Sequence, residues 1–191
     1  MMSTMHLALK FALLLAIALI TAASASEIVY KPAPEDFHES AKAVVDRLFR
    51  SNDEPELGDL ASYVTCGPGL WRTIKVTPTI EALDPASATS MVDLGGGNFQ
   101  PFEGALFHSD AERSELVRAV RVVLDGTDFT VRAPNELEKK VYWALIPYDI
   151  EEPIFILDNG ERRILVDFVS NDNGPQLLWV GDMSQFGFGQ R

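Results

Sequence analysis

The spacing of apolar residues changes along this chain, and that change constrains the fold more than any other feature. In residues 35–50 the apolar side chains recur every three or four positions, which places them on one face of a helix. The same spacing returns in residues 110–124, and just before them Ser109 stands three residues from Glu112, as in a capping box. Beyond Gly126, short runs rich in β-branched and aromatic residues follow instead. Helices are therefore predicted early in the chain and strands late.

The runs beyond Gly126 predict a sheet, with strands at residues 129–132, 139–147, 154–157, 163–169 and 177–180. The last three runs are joined by Asp158-Asn159-Gly160 and Asn171-Asp172-Asn173-Gly174, and asparagine and glycine tolerate the positive φ angles of tight hairpin turns. Together with the early helices, this predicts an α+β fold. Its N-terminal helices are expected to pack on a curved antiparallel sheet that is formed mainly by the C-terminal third.

The chain between the two long helices gives weaker signals. Residues 56–63 suggest a short helix, and residues 70–80, which contain several β-branched side chains, suggest a strand. Residues 84–87 indicate a loop, and Gly95-Gly96-Gly97 indicates a flexible connection because it lacks the pattern of a phosphate-binding loop.

The first 25 residues are typical of a cleavable secretory signal. Lys10 precedes an apolar run from Phe11 to Ile20, and small residues ending in Ala25 follow. The run has about half of the roughly 20 residues that a membrane-spanning helix needs, so cleavage after Ala25 is favoured over a retained anchor. We therefore predict a mature chain that begins at Ser26, forms a single domain over residues 26–191, keeps no stable membrane anchor and is periplasmic or secreted.

The charge of the chain limits its partners. There are 16 Lys and Arg residues against 28 Asp and Glu residues, and removal of Lys10 with the signal leaves a balance of −13. Because phosphate binding needs a basic surface, nucleic acid is not an expected partner. The acidity serves either solubility or an acidic face that docks onto a basic protein, and composition does not decide between them.

Cys66 is the one cysteine in the chain, so no internal disulfide is possible and packing alone must stabilise the fold. A catalytic thiol needs a neighbouring base or cation, and the predicted mature chain offers only His38 and His108 as imidazole bases, neither of them near in sequence. Cys66 is expected to be buried or incidental, with a nucleophilic role or an intermolecular bridge as the alternatives.

Aromatic and acidic residues are densest between positions 142 and 153. Placed on a strand, they would line a pocket, which makes Tyr142, Trp143, Tyr148 and Asp149 the candidate binding residues. The weak catalytic candidates are Asp149, His108 and Cys66. Core packing followed by a solvated acidic turn is the alternative interpretation of the same stretch.

No metal and no cofactor are expected. Asp158-Asn159-Gly160 and Asp172-Asn173-Gly174 carry oxygen ligands but lack the further spaced acids of a calcium loop. The histidines lack metal-binding spacing, and no serine lies in a G-x-S-x-G elbow.

The order of elements resembles that of exported bacterial proteins with cystatin-like or nuclear-transport-factor-like cone folds. The resemblance is one of layout: a long helix, a short helix ending in Leu60-Ala61-Ser62-Tyr63-Val64, then Gly67-Pro68-Gly69-Leu70, a further helix and a terminal sheet. It implies a helix cupped in a bent sheet, in a family of binders, inhibitors and a few enzymes. No Asp-His pair aligns with the enzymatic members. A non-catalytic binding protein of inhibitor or immunity type, acting on a basic protein, is therefore expected, with a small hydrolase or isomerase or a structural envelope component as alternatives.

Overall fold

The computed structural model describes residues 36–93, 99–126, 128–145 and 153–184. The predicted signal peptide, the Gly95-Gly96-Gly97 connection, and the candidate residues Tyr148 and Asp149 lie outside these ranges.

Helices and strands both contribute to the fold, which confirms the predicted α+β class. The helices are α1 (Phe37–Arg50), α2 (Pro68–Ile74), α3 (Pro78–Leu83), α4 (Asp110–Val123) and α5 (Glu136–Leu145), with a 3₁₀ turn at Leu57–Asp59. The strands are β1 (Leu60–Cys66), β2 (Ala86–Asp93), β3 (Phe99–Phe107), β4 (Thr130–Arg132), β5 (Ile154–Asp158), β6 (Arg163–Asn171) and β7 (Gly174–Asp182). Within the described ranges, no helix is long and apolar enough to cross a membrane.

In the described part of the chain, seven strands form one sheet in the order β2-β3-β1-β7-β6-β5-β4. Neighbouring strands pair antiparallel except β1 and β7, which run parallel, so the sheet is mixed. The two predicted hairpin turns are confirmed, since β5, β6 and β7 are antiparallel neighbours and Gly160 and Gly174 have φ angles of 88° and 103°. A register shift between Asp167 and Phe168 adds one residue to β7.

The larger core lies between one face of the sheet and helices α1 and α4. The predicted apolar face of α1 is buried, and alternate residues of β6 meet it from the sheet. The capping box of α4 is also confirmed, because Glu112 N donates to Ser109 Oγ at 3.3 Å and Ser109 N donates to Glu112 Oε2 at 2.9 Å. The main contributors to this core from the two helices and β6 are Val44, Val45, Leu48, Phe49, Leu116, Val117, Val120, Ile164, Val166 and Phe168.

Helix α5 covers part of the opposite face. Its Tyr142 packs in a smaller core with Ile156, Leu165, Trp179 and Met183. The Trp179 ring lies so close to two glycines that a Cβ atom at Gly67 would be 2.5 Å from it and one at Gly181 only 2.0 Å. These glycines therefore create the space for Trp179 beneath α5.

Three local predictions are wrong. Residues 139–147 were expected to form a strand, yet up to Leu145 they belong to α5, so Tyr142 and Trp143 lie on a helix. Residues 56–63 form the 3₁₀ turn and the start of β1 instead of a helix. Residues 70–80 form α2 and α3 instead of a strand, because Pro68 and Pro78 occupy first-turn positions where proline favours helix initiation.

The hairpin of β2 and β3 is an addition to the sheet that the sequence did not predict. The expected loop at residues 84–87 ends early, since β2 begins at Ala86. The two strands pair in unbroken register from Ala86 opposite Leu106 to Asp93 opposite Phe99. The hairpin forms one edge of the sheet, while four of the seven described strands follow residue 129.

Candidate functional site

The candidate residues predicted from sequence lie in different environments. Cys66 is fully buried in β1, where burial raises the pKa of its thiol well above its ordinary value, and its Sγ donates to the Gly67 carbonyl oxygen at 3.7 Å. His108 is exposed, with its ring 5.9 Å from the Tyr63 ring. Burial gives Cys66 the environment of a packed side chain, not of an activated nucleophile.

Tyr142 is the predicted binding residue whose side chain the structure describes. It is buried, its hydroxyl donates to Asp167 Oδ2 at 2.6 Å, and its ring meets the Trp179 ring edge to face at 5.7 Å. The side chain of Trp143 lies outside the described part of the chain. Tyr142 therefore links α5 to a carboxyl group on the sheet.

Polar contacts fix α5 in the position that presents Tyr142. Asn135 Oδ1 accepts hydrogen bonds from Leu137 N and Glu138 N, and Glu138 Oε2 accepts one from Asn135 N at 2.8 Å, which forms a second capping box. Arg132 donates to both oxygens of Glu138, at 2.7 and 2.8 Å. Burial opposes ionisation of Glu138, but these hydrogen bonds outweigh it and lower the pKa of that carboxyl. Glu138 and Tyr142 are four residues apart, so they share a face of the helix.

Asp167 lies on β6 beneath α5 and is only 1% exposed. Burial raises the pKa of Asp167 to about 7, while hydrogen bonds from the Tyr142 hydroxyl and the Phe168 N–H act in the opposite direction. Among the described residues its Oδ1 has no hydrogen-bond partner. Such a carboxyl can hold or release a proton near neutral pH. Sequence reasoning missed it, although a single acid inside the apolar strand Leu165–Val169 was a usable signal.

A second candidate site is an open groove between α3 and α4. It consists of two adjoining depressions of about 470 and 540 Å³, both of which include Thr79, Glu115 and Arg118 in their lining. We call this surface the α3–α4 groove. The smaller depression extends toward residues 54–57, and the larger one extends past the C-terminal end of α4 to the turn between β5 and β6.

The outward face of α4 provides one wall of the groove. Ala111, Glu115, Arg118 and Val122 recur at helical spacing and line it. Val122 is 76% exposed although it is apolar, and it is one of the most exposed large hydrophobic residues that the structure describes. The sequence signal for this site was available, since Val122 departs from the buried face of an otherwise amphipathic helix.

The charges in the groove are mostly acidic, and the two ends differ. In the smaller depression Arg118 donates to Glu54 and to Glu115, and these hydrogen bonds raise the pKa of Arg118 above its ordinary value. In the larger depression Asp125 and Glu161 are exposed, and within the described ranges neither makes a salt bridge. Two arginines also line the larger depression: Arg118, which is held by the acids just named, and Arg162, which is paired with Asp182 at 2.8 Å. The larger depression therefore has acidic groups that remain available to a cation.

Comparison with known proteins adds no relative. No protein-family model matches the chain, and no significant match was found among curated proteins or solved structures. The resemblance to cone folds therefore stays a prediction. Nor do the described residues include a group of three His, Cys, Asp or Glu side chains that is suited to hold a metal ion.

Proposed function

We propose that this chain is an exported, non-catalytic binding protein whose partner is a basic protein. The observation that carries the proposal is the larger depression of the α3–α4 groove, where the exposed Val122 lies with Asp125 and Glu161. Burying exposed apolar side chains against a partner makes the free energy of binding more favourable. Acidic side chains around them favour a partner of opposite charge.

The charged and the apolar groups of this surface are expected to contribute differently to binding. The negative balance of the chain accelerates encounter with a positively charged protein, and salt screens that effect. Affinity depends more on apolar anchors that exclude water at the centre of the contact. A role as an inhibitor or immunity-type protein in the periplasm or outside the cell agrees with this combination, because both act by covering another protein's surface.

The proposal is tested by capture from an exported-protein extract, with the purified full chain immobilised and bound proteins identified by mass spectrometry. We expect a basic protein whose association rate falls about tenfold or more when salt is raised from low to high concentration. If the partner is an enzyme, its activity should fall as the chain is added in equimolar amount. Recovery of a small metabolite in place of a protein, or an association rate independent of salt, would contradict the proposal.

Asp167 and Tyr142 support a second candidate function, a small enzyme on the opposite face of the sheet. Burial raises the pKa of Asp167 to about 7, which would suit general acid or base catalysis if a substrate reached this carboxyl; Asp167 and Tyr142 are both buried, and neither lines the α3–α4 groove. The two functions separate experimentally, since an Asp167→Asn variant should lose an enzymatic activity but keep the affinity of the α3–α4 groove for a protein partner.

A further inference from the structure

We propose that the larger depression of the α3–α4 groove binds one protein segment that presents a lysine or arginine next to an apolar side chain. The cation would lie between Asp125 and Glu161, and the apolar side chain would cover Val122. This inference rests on the proposed function and names the surface and the chemistry through which it acts.

The apolar half of the surface is centred on Val122, the largely exposed valine that lines the larger depression. Val122 is 76% exposed on α4, and Val76 is 71% exposed in the turn that separates α2 from α3. Thr77, which follows Val76, lines the same depression, and so does Ile74. A partner's apolar side chain placed here removes apolar area from water on both proteins, which is the main source of affinity in a contact of this kind.

The charged half lies at the C-terminal end of α4, where the helix dipole is negative and favours a cation. This helix places an acid there instead: Asp125 follows its last turn with a φ angle of 54°. The base in the last turn, Arg121, is directed elsewhere, since its Nε and Nη1 donate to the carbonyl oxygens of Leu48 and Asp53. Glu161 adds a second negative charge from the turn between β5 and β6. The local field therefore favours a cation supplied from outside.

The larger depression is favoured over the smaller one because two of its three acids, Asp125 and Glu161, remain available, whereas the third, Glu115, is shared with the smaller depression. In the smaller depression Glu54 and Glu115 already bind Arg118, and Asp110 pairs with Arg113. A partner's cation would have to displace an arginine there, whereas Asp125 and Glu161 require no such exchange.

The negative charge of the chain also indicates which kind of molecule would bind the larger depression. A second copy of this chain would bring a net charge of −12 and the same acidic depression to the contact, so like charges would oppose self-association at this surface. A basic segment of another protein satisfies the apolar and the acidic groups together, and it is the occupant to which we commit.

The test uses synthetic peptides and the purified full chain labelled for NMR. The first peptide has 12 residues with paired leucines flanked by lysines, the second replaces the lysines by glutamate, and the third replaces the leucines by serine. We expect the first peptide alone to bind and to shift the backbone amides of residues 122–126 and 159–162.

One variant tests the apolar half of the surface and a second tests the charged half. Both should have little effect on folding. Val122→Ser shortens an exposed side chain and should weaken binding of the first peptide about fivefold. Asp125→Asn combined with Glu161→Gln removes two charges and should weaken it about tenfold at low salt; asparagine tolerates the left-handed φ of residue 125.

The matched controls are Leu137→Ser, at an exposed apolar position on α5, and the pair Asp36→Asn and Glu39→Gln near the start of α1. Both controls should change binding less than about twofold.

Amide shifts confined to another surface, equal binding of the glutamate or serine peptide, or a self-associated dimer that Val122→Ser dissociates would overturn the inference. Binding measurements with the captured basic partner distinguish a failure of this inference from a failure of the proposed function. If the partner binds the groove variants as tightly as wild type, the assigned surface is wrong while the binding function stands. If the lysine peptide binds as expected but no basic partner is recovered, the surface stands and the proposed function fails.

Discussion

Replacing Asp167 with asparagine should remove most of the dependence of stability on pH between about pH 5 and pH 8. Burial raises the pKa of Asp167 from 3.8 to about 7, so in this range the folded protein holds a proton that the unfolded chain has already released. The stabilising contribution is therefore complete below about pH 4 and is lost as the pH rises through about 7. Asparagine keeps the shape of the side chain and does not titrate.

The magnitude follows from the size of the shift. A change of about 3 pKa units corresponds to about 4 kcal/mol over the full titration, and about 2.5 kcal/mol of this falls between pH 5 and pH 8. No other carboxyl or thiol with a shifted pKa titrates between pH 5 and pH 8. The pKa values of Glu112, Glu136 and Glu138 are lowered, and that of Cys66 is raised well above 9.0. Wild type should thus lose roughly 2.5 kcal/mol of unfolding free energy across the window.

Urea unfolding at several pH values measures the effect directly. The Asp167→Asn variant should be more stable than wild type at pH 8 and should show a nearly flat profile. Glu112→Gln is the matched control, because it alters a carboxyl with a lowered pKa at the start of α4 and should leave the slope between pH 5 and pH 8 unchanged. A variant at residue 167 whose pH profile parallels that of wild type would refute the reasoning.

Three further predictions follow from the same structure. Gly181→Ala should lower stability by about 2 to 3 kcal/mol in thermal or urea unfolding, because the new methyl group would meet the Trp179 ring at 2.0 Å; an unchanged midpoint would contradict this. Cys66→Ser should leave partner binding unchanged and cost about 1 to 2 kcal/mol of stability, since a hydroxyl replaces a thiol in the core; complete loss of binding with an unchanged melt would point to a reactive thiol instead. Mass spectrometry of the exported protein should find an N-terminus at or within a few residues of Ser26, and recovery of the intact N-terminal segment in that fraction would exclude cleavage.

The fold class could be predicted because it depends on periodicity that local sequence records. Helix α1 shows one continuous apolar face, α4 has the capping box of Ser109 and Glu112, and the turns at Gly160 and Gly174 need positive φ angles. Each of these signals is contained in a few neighbouring residues. The parallel pairing of β1 with β7 is not, because it joins strands more than 100 residues apart and leaves no local pattern.

Helix α5 shows why a local pattern can also mislead. Its Val141 and Tyr142 are typical of strands, and the alternation around them predicted one, but the helix is set by Asn135 and Glu138 at its start. The sequence does contain this capping signal, and giving it priority over β propensity would have placed Tyr142 on a helix. The role of Tyr142 in binding stays a prediction, and its polar partner in the structure, Asp167, comes from a strand 25 residues later.

The two candidate sites differ in what a sequence can reveal about them. Asp167 is a conspicuous acid in an apolar strand, yet its raised pKa depends on burial by α5, which only the tertiary structure defines. The α3–α4 groove depends even more on assembly, because Val122 can be recognised in sequence as an apolar residue off the buried face of α4, but only the tertiary structure brings Asp125 and Glu161 to the same depression. Since both sites arise from contacts between distant segments, their functions must be separated by variants at each: Asp167→Asn should change pH dependence without changing partner binding, and Val122→Ser should do the reverse.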